Sequence, residues 1–161
     1  MGKIAAAACA ATLALAVTGG AAAATTFTGG SVAGSGSVDT TFEGSHVAFQ
    51  VTVGARGDAF GATGHLAMRF GTTVFQSQVR CVLVAGNSAL VVGTLREPEG
   101  AATELIAEFV DNGNGRDAPP DATVAGLSAP SPFFDACFPT FVGFTDAFPV
   151  EHGNYVVRPE P

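Results

Sequence analysis

Val79-Arg-Cys-Val-Leu-Val-Ala-Gly-Asn-Ser-Ala-Leu-Val-Val-Gly-Thr-Leu95 is the stretch whose reading decides the fold. Val79 to Val84 and Ala89 to Leu95 are rich in β-branched and apolar residues. Gly86-Asn87 between them tolerates the positive φ of a tight hairpin turn. Both arms are nearly continuous in apolar residues, which places them centrally in a sheet, with both faces covered or one face very apolar. Cys81 lies inside the first arm, in position to tie the hairpin to a distant segment.

Outward from this hairpin the pattern changes to strict alternation. In Ser45 to Ala55, Val47, Phe49, Val51 and Val53 share one face, and Ala48, Gln50 and Thr52 the other. Period two of this kind belongs to an antiparallel strand with one wet face. Gly64 to Phe70 alternates likewise, with Leu66, Met68 and Phe70 inward and His65 and Arg69 outward. Thr73 to Gln78 leads into the hairpin. Ala102 to Val110 puts Leu105, Ala107 and Phe109 inward and Glu104 and Glu108 outward. Ala122 to Leu127 reads as a short strand, and Asn154 to Arg158 as a closing one. Thr25 to Thr41 is rich in Gly, Ser and Thr. Its part 25–34 reads as a loose arm, and Ser35 to Phe42 as an edge strand with Val38 and Phe42 inward. Seven or eight antiparallel strands with short connections define an all-β fold. The expected form is a barrel-like or strongly curved meander, the alternative being a β-sandwich.

Pro130 to Pro149 stands apart, carrying Phe133, Phe134, Phe138, Phe141, Phe144 and Phe148 among prolines and Cys137. Proline interrupts it too often for a central strand. It reads as an irregular apolar cover docked on the sheet and fastened through Cys137, or as a sticky face for a protein partner or a lining for a small apolar ligand.

The start of the chain is an address. Met1-Gly-Lys3 is short and positive, Ile4 to Val17 is apolar, and Ala22-x-Ala24 suits signal peptidase, so residues 1–24 read as a signal peptide. An apolar run of about 14 residues falls short of the ~20 that span a bilayer. Cys9 lies within this run rather than after it, which speaks against a lipid anchor. Residues 25–161 then form a single secreted β-domain, extracellular or at the cell surface, with no later segment apolar enough to span a membrane.

Cleavage removes the only lysine, leaving an acidic chain whose cations are six arginines scattered singly. With no basic run, nucleic acid and anionic membrane are poor partners. It also removes Cys9. The remaining pair, Cys81 and Cys137, in an exported domain reads as a disulfide, worth about 4 kcal/mol for a loop of this length. The competing reading is a reactive Cys137 with His152 as its base.

The features in this order resemble a loose group of small exported proteins of high-GC, actinobacterial-type bacteria, some labelled repetin-like. The similarity rests on Gly64-His-Leu with Arg69-Phe70, Gln78-Val-Arg-Cys-Val-Leu-Val-Ala-Gly-Asn87, Val91-Val-Gly93, Phe109-Val-Asp-Asn-Gly113, Cys137 and Gly153-Asn-Tyr-Val-Val157. The resemblance implies export and a β-domain. It carries no catalytic residues across.

Among candidate sites, the loop Asp111 to Asp121 comes first. Asp111, Asn112, Asn114, Asp117 and Asp121 offer the oxygen ligands that calcium prefers. The register departs from the usual calcium loop, since Gly113 and Gly115 occupy ligand positions and no glutamate closes it. The bland alternative is a solvated connection built on Asn-Gly turn chemistry. His46, His65 and His152 lack zinc-ligand spacing. Arg56-Gly57-Asp58 matches an integrin-recognised tripeptide but also suits a plain turn. Ser128 and Ser131 lack a nucleophile-elbow pattern. The expectation is a non-enzymatic structural or interaction module with no cofactor, its partner a protein or a small apolar ligand. A barrel-type ligand binder and a calcium-binding surface module are the alternatives.

Overall fold

The computed structural model describes residues 27–42, 44–114, 117–129 and 147–160. They form one nine-stranded antiparallel sheet, strongly curled into a half-barrel, and no helix occurs among the described residues. The strands are β1 (Gly30–Phe42), β2 (Ser45–Gly57), β3 (Ala62–Phe70), β4 (Thr73–Ala85), β5 (Ser88–Glu99), β6 (Ala102–Val110), β7 (Ala122–Ser128), β8 (Phe148–Pro149) and β9 (His152–Pro159). Their order is β8-β7-β6-β5-β4-β3-β2-β1-β9. A meander therefore runs from β1 to β8, and the last strand returns to lie beside the first.

The central hairpin is β4–β5. Gly86 takes φ 61° at its turn, as Gly86-Asn87 predicts. The register pairs Leu83 with Leu90 and Cys81 with Val92, then skips, so that Val79 pairs with Gly93 and Arg80 has no partner in β5. This bulge sends Arg80 to Glu104, with Nη2 2.6 Å from Oε1.

One apolar cluster fills the inner face. It contains Val32, Val38, Val51, Leu66, Val82, Val91, Leu105, Phe109 and Tyr155, all almost wholly buried. The alternation in β2 and β6 points its apolar residues inward as the sequence requires. A second cluster of Cys81, Leu83, Val92 and Ile106 lies on the outer face of β4, β5 and β6. The continuous apolar reading of the hairpin is thus explained by burial of both faces.

The structure differs from the sequence expectation in four places. Residues 28–34 are not a loose arm: Thr28 exchanges two backbone hydrogen bonds with Val84, both 2.9 Å, and β1 begins at Gly30. Nor is β1 an edge. It pairs with β2 over its whole length and with β9 from Gly30 to Ser37. Its glycines are what permit this, because a Cβ on Gly30 would stand 2.7 Å from Val84 Cγ2 and against the Arg158 carbonyl. Phe70 is 54% exposed rather than inward, since it is the last residue before the Gly71-Thr72 turn and the core has ended there. Glu104 faces outward but is buried, neutralised by Arg80. The single continuous sheet also departs from the two-sheet alternative. The Phe42 side chain, the signal-peptide residues 1–24 and most of the Phe-rich segment, Cys137 included, lie outside the described residues.

Candidate functional site

An exposed edge strand carries a row of backbone N–H groups without partners. On β9, the N–H groups of Asn154, Val156 and Arg158 alternate with those of Tyr155 and Val157. The latter two point away from β1 and would be orphaned. Instead Tyr155 N donates to Asp121 Oδ2 at 2.7 Å, and Val157 N donates to Asp111 Oδ2 at 3.0 Å. The remaining oxygens are equally engaged. Asn112 N donates to Asp121 Oδ1 at 2.9 Å, and Gly113 N donates to Asp111 Oδ1 at 2.8 Å. Every carboxylate oxygen of the two aspartates accepts a backbone N–H, and such charge-assisted bonds are the stronger kind.

The β6–β7 connection is in turn held in shape. Asn112 Nδ2 donates to Pro120 O at 2.7 Å, and Asn87 Nδ2 from the hairpin turn donates to Asp111 O at 2.9 Å. Beside it, Val150 N donates to Asp121 O and Glu151 N donates to Ser37 O, carrying the chain from β7 across to β1. The loop therefore ties the two edges of the half-barrel together.

Of the five calcium candidates, the fold brings Asp111, Asn112 and Asp121 together and leaves Asn114 and Asp117 exposed. A cation at the converged oxygens would compete with four backbone donors already aimed at them. Among the described residues, no group of three His, Cys, Asp or Glu side chains is placed to hold a metal ion.

Behind the latch, Tyr155 fills the opening from inside. Its ring centroid lies 4.7 Å from that of Phe109, and its hydroxyl donates to Val51 O at 3.1 Å. Burial pushes the phenol well above the ordinary tyrosine range. The nearby Asp121 carboxylate adds to this, while hydrogen bonds involving Thr123 and Gly36 oppose it. A neutral hydroxyl in an apolar interior does structural work here.

The remaining candidates stay apart. His46 pairs with Asp39, Nε2 to Oδ1 2.6 Å, in the open; His65 and His152 are exposed on other strands. In the Arg-Gly-Asp tripeptide, Asp58 Oδ1 accepts from Phe60 N and Gly61 N, so its carboxylate shapes the β2–β3 turn. Ser128 Oγ donates to its neighbour Ala129 O, and Ser131 lies outside the described residues. Cys81 is buried in the outer cluster; with Cys137 undescribed, neither the bridge nor its pairing with His152 falls within the description. Among the described residues, two hollows stand out. One, of about 330 Å³, opens where β4 and β5 diverge, beside Val74, Phe75, Gln76, Arg96, Glu97 and Glu99. The other, a shallow furrow of about 300 Å³, runs over β1, β2 and β3. Among the described residues, no helix is long and apolar enough to cross a membrane. Comparison with protein-family models, with curated proteins and with solved structures gave no match.

The latch escapes sequence reasoning because a carboxylate that binds calcium and one that binds backbone N–H use the same residue type in the same polar loop. The one usable signal was the departure of the loop from calcium register.

Proposed function

We propose that this chain is an exported, non-enzymatic β-domain that serves as a structural or interaction module. The observation that carries this reading is how the polar and apolar groups are spent. The inner face is filled by side chains from facing strands, and the two converged aspartates close the sheet. Export rests on the leader Met1 to Ala24 and on the resemblance to exported proteins. Cys81 and Cys137 complete the domain as a disulfide, which would fasten the Phe-rich segment onto the outer apolar cluster around Cys81.

Intact-mass measurement of the exported protein tests the first half, with cleavage after Ala24 expected and retention of Cys9 overturning it. Thermal melting with added calcium and with long-chain fatty acids tests the second. An unchanged melting temperature is expected. Stabilisation by calcium would assign the Asp111 to Asp121 loop to a metal; stabilisation by fatty acid would make the domain a ligand binder.

A further inference from the structure

The outward residues of β9, β1, β2 and β3 form a face that no run of sequence contains. Across it, in register, lie Arg158, Ser31, Arg56 and Thr63; then Val156, Ala33, Gly54 and His65; then Asn154, Ser35, Thr52 and Ala67; then His152, Ser37, Gln50 and Arg69. These sixteen positions include three arginines and two histidines and not one carboxylate. Acids stand only at the rim, Asp58 and Glu160 at one end and Asp39 and Glu151 at the other. Two of the four are engaged, Asp58 by the turn and Asp39 by His46. Arg56, Arg69 and Arg158 are exposed and make no ion pair among the described residues.

We propose that this face binds an anionic polysaccharide. Arg158 and Arg56 flank Ser31 two strand spacings apart, about 10 Å, and Arg69 lies about 20 Å further along the strand direction. That spacing suits a polymer with sparse charges. Duplex DNA, with one charge per ~1.7 Å, matches it poorly, and the acidic remainder of the molecule repels so dense a polyanion.

Between the arginines stand Ser35, Ser37, Thr52, Gln50 and Asn154, donors and acceptors suited to sugar hydroxyls. No Phe or Tyr lies among them, so the stacking platform that single-stranded nucleic acid uses is lacking. The furrow of about 300 Å³, whose lining includes Ser31, Arg56 and Thr63 beside the apolar Val32, Ala33 and Ala55, lets a chain approach the backbone. His65 occupies the space over Gly54, its Cε1 2.8 Å from where a Cβ would stand.

This inference rests on the reading of the domain as an interaction module. The fatty-acid titration that would overturn that reading leaves charge-dependent binding untouched, so the two fail separately. The experiment uses the mature chain on immobilised hyaluronan, a polymer with a single carboxylate per disaccharide, with neutral dextran and single-stranded DNA as comparators. Retention on hyaluronan alone, lost with rising salt, is expected. The double variant Arg56→Gln, Arg158→Gln should bind about tenfold more weakly with an unchanged melting temperature, while Arg96→Gln, off this face, should not. Equal retention on neutral dextran, equal binding of DNA, or equal loss in Arg96→Gln overturns the proposal.

Discussion

Outside β4, β5 and β6 the residues Cys81, Leu83, Val92 and Ile106 are buried. Outside β9, β1, β2 and β3 the positions are held by Ser, Ala, Thr, Gly, Asn, Gln, Arg and His with a single Val, Val156, and most are exposed. Both halves face the same inner core, since Val51 and Leu66 of one meet the cluster that holds Val91 and Leu105 of the other. Their outer faces thus differ in exposure: in one half the outward residues are buried, in the other most are open to solvent. The charge follows the same division. β5 and β6 carry Glu97, Glu99, Glu104 and Glu108, whereas β9, β1, β2 and β3 together carry one acid, Asp39. The difference teaches that a single curled sheet can be core on one side throughout and still be two surfaces on the other.

The largest expected effect is at the apolar half. Replacing Cys81 and Cys137 together with serine should cost about 4 kcal/mol if they are bonded, seen as a marked fall in melting temperature. Non-reducing peptide mapping should recover the two cysteines in one linked pair. Free thiols in the exported protein would break the comparison at its root, because Cys81 would then be one more buried apolar residue.

Outer-face truncations come next. Ile106→Ala should cost about 2–4 kcal/mol in chemical denaturation, as for any buried aliphatic side chain. Thr52→Ala, at a half-buried position on the other half, should change stability by less than about 0.5 kcal/mol. Similar values for the two would erase the distinction between covered and open faces.

The latch between the halves should sit lower. Asp121→Ala leaves Tyr155 N and Asn112 N without acceptors, at a cost of about 1–3 kcal/mol. Amide exchange at Tyr155 should quicken well before exchange in β4 and β5. Unchanged exchange there would show that β9 is held by β1 alone.

The smallest effect is a pH dependence. Tyr155 has its folded phenol pKa raised above the unfolded value, chiefly by burial. Its contribution is complete below the unfolded pKa of about 10 and is lost as pH rises beyond it, because the unfolded chain releases the proton first. The melting temperature should therefore fall as pH rises above about 10, with a shallower slope in Tyr155→Phe.

Period-two alternation and the Gly86-Asn87 turn make β2 to β7 legible in the sequence, and the inward sides of β2, β3 and β6 apart from Phe70, because pleat and turn geometry act over a few residues. The doubled burial of β4 and β5 is legible for the same reason. The bulge at Arg80 is not, since it depends on the register that Gly93 and Val92 take against β4. The pairing of β1 with β9 joins residues more than a hundred positions apart, as Gly30 with Pro159. No local propensity reports such a contact, and so an internal strand read as a loose arm and an edge. The same long-range closure turned Asp111 and Asp121 from calcium candidates into acceptors for the β9 edge. It also gathered Arg56, Arg69 and Arg158, isolated along the chain, onto one face. Local chemistry chose strands, turns and inward sides, whereas neighbours across the sheet, which only the closed fold supplies, decided what the polar side chains do.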